Sequence, residues 1–413
     1  MGSSARVLLL ATILGACGAP PATTGASATS ASLVPPPANE QIYLATDRGI
    51  SVVAQNGVTL RELPRGVPAP DWSAFYVVEP GDTTTVRVLD PGSGAERRGI
   101  TVPGRYDLAS AYRVAPTGLS RSGALLTLEA APSPTHSGFA VVDTKSDSVK
   151  TVTTPGEMTV DVVSDDAASL YLVEHKADNR YNVRIFDLRT GRLDEKPIGD
   201  LKQVEVSTPA NVERGLMAGI YQASIDGSLS SWHFSLYSNP GRRPFIHALN
   251  VAGRYATCIL DLPVGSGPAA PGFWTVALAP SGKHLYATNA VEGTVTRYDA
   301  DTLQSLQWKS LKRSATAPTA SIDPMTAAAV SPEGYRLYVV AEAGVVVVDT
   351  ATLGLKAHLV PDRAVRSIAL TADGRRLYAL SLDGTKVWAL DAMSGQPLAT
   401  LSVPAATSIA RVR

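Results

Sequence analysis

Apolar and polar residues alternate along most of this chain in runs of four to seven, and the runs are separated by short turns containing glycine. The stretch from Thr275 to Leu303 reads TVALAP, SGK, HLYATNA, VEG and TVTRYDA, followed by the turn that begins at Asp299. Three short alternating runs with Gly-containing turns between them predict three strands joined as hairpins. The same order recurs from Ala327 to Leu353 and again from Ser367 to Gly395. No stretch carries the longer period of an amphipathic helix, so the predicted fold class is all-β.

The most countable mark of the repeat is Asp-x-x-Ser/Thr after the third run. It stands at Asp90/Ser93, Asp143/Ser146, Asp187/Thr190, Asp299/Thr302, Asp349/Thr352 and Asp391/Ser394. An aspartate in such a turn accepts backbone N–H groups two or three residues on, which stabilises a tight reversal. The carboxylates are therefore expected to be structural. Their interval of roughly 40–55 residues is a propeller period. The gap between Asp187 and Asp299 is about two such periods, so a degenerate unit is expected at 215–250. Another unit, QIYLAT, GISVVAQ and VTLREL, precedes Asp90. The count is eight units, and short strands at this period predict a β-propeller. Thr407 to Val412 read as an innermost strand with nothing after it, while the first unit lacks one. Pairing the N- and C-terminal segments would close eight four-stranded blades and remove two open edges. Seven blades, with one early unit as an insertion, is the alternative.

The segments SPEGYRLYVV with GVVVVDTATL, and APSGKHLYATN with GTVTRYDADTL, resemble YVTN-type β-propeller repeats, which are related to WD-repeat and lactonase-type propellers. The resemblance is good over 274–403, weaker over 71–200 and poor over 201–262. It implies four-stranded blades around an axis, with an innermost strand preceding the three in each unit. It brings no catalytic residue, because the shared motif is turn and core.

The N-terminus carries an address. Arg6 is followed by the apolar run Val7 to Leu14, too short to span a bilayer. Leu14, Gly15, Ala16 and Cys17 resemble the lipobox of bacterial lipoproteins, which implies lipidation at Cys17. The expected organisation is a signal peptide over 1–16, a lipidated Cys17 with a flexible Ala/Ser/Thr/Pro linker over 17–40, and the propeller over 41–413. This places the protein outside the cytoplasm, anchored to a bacterial membrane. Cys258, the second cysteine, lies in an apolar run and is expected to be a buried thiol.

Charge and motifs narrow the function. Basic and acidic residues balance at 37 each, without a basic stripe, which argues against nucleic acid as a partner. No nucleophile elbow, phosphate loop or His-x-x-x-His pair occurs, so no catalytic residue, metal site or cofactor is assigned. Tyr286, Tyr338 and Tyr378 share one repeat slot and are expected to pack in the core or between blades. The long segments 130–137, 174–182, 251–273 and 312–325 are assigned to one rim, opposite the short turns. Recognition usually resides on long loops carried by a rigid scaffold. The candidate binding residues are therefore Glu174, His175, Arg180, Arg254 and Arg313. The reading is a binding or scaffold module for an envelope protein or small ligand. The alternatives are a lactonase-like hydrolase and a structural component of an envelope assembly.

Overall fold

The computed structural model describes residues 40–111, 115–116, 118–198, 216–228, 230–238, 243–263, 273–311, 322–341 and 343–413. Cys17, the segment before Glu40, Arg313 and the side chain of Cys258 lie outside the described residues. Eight antiparallel sheets stand around a common axis as an eight-bladed β-propeller, beside a two-stranded ribbon of Ser110–Ala111 and Ala115–Pro116, and the seven-blade alternative falls. Blade 6 shows the plan: Thr275–Leu278, His284–Asn289, Thr294–Asp299 and Ser305–Ser310, ordered from the axis outward. We name these positions a to d in every blade.

This order corrects one expectation. In blades 5 to 8 the three runs legible in sequence are strands a, b and c, and the strand still to be found is the outermost, after the Asp turn. Strand d of blade 6 is exposed at almost every position, so it lacks the alternation that betrays a half-buried strand. The degenerate unit is likewise completed from behind. Ile220–Asp226, Trp232–Ser238 and Phe245–Asn250 are a, b and c of blade 5, and Tyr255–Asp261 is d.

Successive strands run antiparallel, so turns a–b and c–d share one rim while turns b–c and the blade-to-blade connections share the other. The core is distributed in the same cyclic way. Eight clusters of buried apolar side chains occur, and each spans the seam between two adjacent blades. Leu377, Tyr338 and Val340, for example, fill the seam between blades 7 and 8.

On the short-turn rim all six Asp turns form as expected. The N–H three residues on donates to the carboxylate at 2.7 to 2.9 Å, as at Ser93, Ser146 and Thr352. These backbone donors hold Asp349 down at about 2, and Arg97 with Ser93 does the same for Asp90. The fourth residue past the aspartate turns left-handed, and at Leu353 (φ 54°) a fully buried leucine accepts that strain. Blade 5 repeats the turn with Asn250: Gly253 donates to its side chain at 2.7 Å, and Arg254 (φ 59°) takes the left-handed position.

The carbonyl just past the anchoring residue joins one blade to the blade before it. Tyr43 donates to Pro91, Arg98 to Thr144, Lys150 to Leu188, Tyr171 to Val251, Arg297 to Thr350 and Tyr338 to Ala392. Trp232 completes the series one residue later, at the Asp301 carbonyl, 3.0 Å away. Seven of the eight junctions are thus bridged in the same direction. The tyrosine slot found in the sequence is a buried inter-blade position, and Tyr338 uses its hydroxyl for this bond.

The eighth junction is different because blade 1 has no Asp turn; its c–d reversal runs through Ala54 and Gly57. There the buried carboxylate of Glu40 receives Arg376 through two bonds of 2.8 and 3.1 Å, and Tyr378 as well. The ends meet on the same blade. Ser408–Val412 is strand a of blade 1 and pairs antiparallel with Gln41–Thr46, and Gln41 and Arg413 exchange both backbone bonds at 2.7 and 2.9 Å. The expected closure is present. Removing one partner of a buried ion pair leaves the other uncompensated, which costs about 3–5 kcal/mol. Glu40→Ala should therefore lower unfolding stability by about that amount in a denaturant titration. An unchanged midpoint would show that the pair does not hold the junction.

Candidate functional site

Two of the long segments meet. Segment 130–137 joins strands b and c of blade 3, and the reversal after His175 joins strands b and c of blade 4, both on the long-loop rim. Between them lies a cavity of about 290 Å³. Phe139, Met158, Ala130 and Pro132 give it apolar walls, and Glu129, Glu157, Thr159 and His175 add polar groups. His175 is fixed from two sides: its N–H donates to the Glu157 carbonyl at 3.1 Å, and Nε2 lies 2.9 Å from Thr159 Oγ1. Glu129 reaches across the seam and accepts the Val160 N–H at 2.6 Å.

The other sequence candidates are placed differently. Glu174 and His175 are successive strand residues, so they face opposite sides of the blade. Glu174 is held by Lys176 and Arg184, each at 3.0 Å. Burial pushes its carboxyl up, but the two cations outweigh this and hold it below the usual range. Arg180 sits at the end of a tight reversal whose central residues, Asp178 and Asn179, both have positive φ. That geometry matches a two-residue hairpin turn. The Arg180 guanidinium bonds back to the Ala177 carbonyl at 3.3 Å. Arg254 is on the opposite rim, because 251–254 is the c–d turn of blade 5 and only the residues after Asp261 belong to the blade connection. It pairs with Asp187 at 2.9 Å and Asp194 at 3.3 Å, fastening blade 5 to blade 4. The structure thus brings His175 to the cavity and gives Glu174 and Arg254 structural partners.

Sequence reasoning missed a second constellation, in the seam between blades 4 and 5. Asp161, at a bulge in strand a of blade 4, and His233, in strand b of blade 5, are both almost fully buried. His233 Nδ1 lies 2.7 Å from Asp226, and Nε2 lies 3.5 Å from Asp161, an ion-pair distance. Burial alone would push the imidazole down, but Asp226 and Asp161 outweigh it and raise His233 to about 10. Elsewhere in the same seam Tyr181, Tyr237 and Phe245 stack at centroid distances of 4.8 and 5.1 Å. A smaller opening of about 180 Å³, partly lined by Asp226 and Trp232, lies on the short-turn rim nearby. Among the described residues no three His, Cys, Asp or Glu side chains are grouped to hold a metal ion. An imidazole held between two carboxylates is a charged cross-link between blades.

No protein-family model matches the chain, and no curated protein matches it. Solved structures resemble it in part. Hydrazine synthase of Kuenenia stuttgartiensis is similar at TM-score 0.42 and 14% identity, over 78% of this chain and 94% of that one. Periplasmic gluconolactonase PpgL of Pseudomonas aeruginosa is similar at TM-score 0.42 and 15% identity, over 83% of this chain and 99% of that one. The β-propeller domain of Myceliophteria thermophila Cps50 (Swd1) is similar at TM-score 0.38 and 13% identity, over 70% and 85%.

The His233 cross-link has a pH signature. Its folded pKa lies above the ordinary value of about 6.5, so the stability it contributes is fully present below that value. That stability is lost as pH rises toward about 10. Denaturant titrations across that window should show the wild type losing stability relative to His233→Gln, which has no imidazole to titrate. Parallel pH profiles for the two proteins would contradict a charged His233.

Proposed function

We propose that this protein is a lipid-anchored, extracytoplasmic binding module that presents its long-loop rim to a ligand or an envelope protein. The observation that carries the reading is the cavity between blades 3 and 4, where two of the long segments converge on a polar mouth with apolar walls. Concave sites of this composition are the usual form of ligand pockets. The chemistry of the opposite rim points the same way. Its aspartates are occupied by their own turn N–H groups, and its carbonyls by donors from the neighbouring blade.

The lipobox-like Cys17 and the uncharged segment after it support an anchor and a tether. That tether joins the propeller at Glu40, which lies beside Arg376 at the short-turn rim. The attachment point is therefore on the rim opposite the cavity.

Crosslinking and capture from detergent-solubilised membranes test both parts. The chain should be found in the membrane fraction. Its capture should fall by about tenfold or more, as for loss of a binding hot spot, when Glu157, His175 and Arg180 are changed together to Ala. Changing Lys145, Arg375 and Met393, exposed on the short-turn rim, should leave capture unchanged. Loss of capture from the short-turn set alone, or recovery of the chain only from the soluble fraction, would contradict the proposal.

A further inference from the structure

Resting on the reading of the long-loop rim as the binding face, we infer that the cavity between blades 3 and 4 takes a small organic cation. The class is a protonated amine carried on a short apolar body. Ser137 has no donor left to offer, since its hydroxyl donates to the Gly156 carbonyl at 3.0 Å while accepting the Met158 N–H at 2.8 Å. Thr159 and His175 are hydrogen-bonded to each other at 2.9 Å. The acidic side chains on the lining are those of Glu129 and Glu157, whose carboxylates only accept.

No lysine or arginine lines the cavity. The nearest cations in sequence are engaged elsewhere: Lys176 and Arg184 hold Glu174, and Arg180 bonds the carbonyl of its own reversal. Glu157 stands exposed at the mouth, and among the described residues its carboxylate makes no hydrogen bond or ion pair. Glu129, by contrast, is engaged, its carboxylate accepting the Val160 N–H.

A ligand here must bring donors and positive charge to the mouth and an apolar body to Phe139 and Met158, both buried at the inner wall. An ammonium–carboxylate contact supplies a charge-assisted hydrogen bond, and an aromatic face adds favourable electrostatics for a cation. The volume of about 290 Å³ suits a molecule of one ring or a short alkyl chain, not a polymer.

Calorimetric titration of the full chain with phenethylammonium, neutral 2-phenylethanol and anionic 3-phenylpropanoate tests the class. The ammonium should bind saturably, the alcohol at least about tenfold more weakly, and the carboxylate not at all. Glu157→Gln, at an exposed position that leaves the fold intact, should weaken the ammonium about tenfold and leave the alcohol unchanged. Equal binding of the three probes, no binding of the ammonium, or an unchanged ammonium affinity in Glu157→Gln would overturn the inference. Capture that still maps to the long-loop rim while the ammonium fails would remove the ligand class and keep the rim.

Discussion

A carbonyl one or two residues past the turn's anchoring Asp or Asn is what a blade offers to the blade before it, and the rest of the ring depends on that acceptor being in place. The aspartate fixes the reversal through backbone N–H bonds. In five of the seven anchored turns (Thr144, Leu188, Val251, Thr350 and Ala392) the next residue donates its own N–H within the blade and turns its carbonyl outward. Pro91 has no N–H to donate and still presents its carbonyl to Tyr43. One short turn thus serves two purposes, closing a hairpin and orienting the neighbour. A repeat protein in which each unit contacts only its neighbours is held by such pairwise terms. A closed ring adds a requirement that an open array lacks, because the last junction must form between segments at opposite ends of the chain. Here that junction departs from the pattern and uses a buried carboxylate, Glu40, in place of a backbone carbonyl.

Much of this was legible in the sequence, for a physical reason. Strands b and c are covered on both sides and the turns need particular side chains, so alternation, glycine and aspartate all leave a mark. Strand d has one edge and much of its surface in water, so solvent places few constraints on a segment such as Ser305–Ser310, and it was not read as a strand. Blade 5 was only half visible because Trp232–Ser238 is buried at every position, which erases alternation, and because Asn250 replaces the turn aspartate. The candidate site was less legible than the fold. His175 is where the loop argument put it, but Arg254 was assigned to the wrong rim, since a four-residue turn and a long connection were read as one segment. Glu129 and Glu157 carry no local motif. They come together only through the packing of two blades.

The two rims divide the chemistry. On the short-turn rim, charge and backbone acceptors are consumed in holding blades together, and Arg254, Asp187 and Asp194 extend this beyond the repeated pattern. The seam between blades 4 and 5 goes furthest, with buried His233 held between Asp161 and Asp226 and, elsewhere in the seam, Tyr181 stacked on Tyr237. On opening, this seam would expose buried charge, which resists its separation. It borders blade 4, the same blade that supplies Met158, Thr159 and His175 to the cavity on the long-loop rim. Firm support beneath the proposed binding face would keep its geometry fixed when a ligand arrives.

The ring closes through its two terminal segments, and this junction should be as firm as the others. Native-state hydrogen exchange reads it directly at Gln41 to Leu44 and Ile409 to Arg413, whose amides would fray if they were free ends. These amides should exchange only through global unfolding, at the rate of the central strands such as Arg376–Ser381. Exchange at the rate of a mobile terminus, with the other blades still protected, would contradict it.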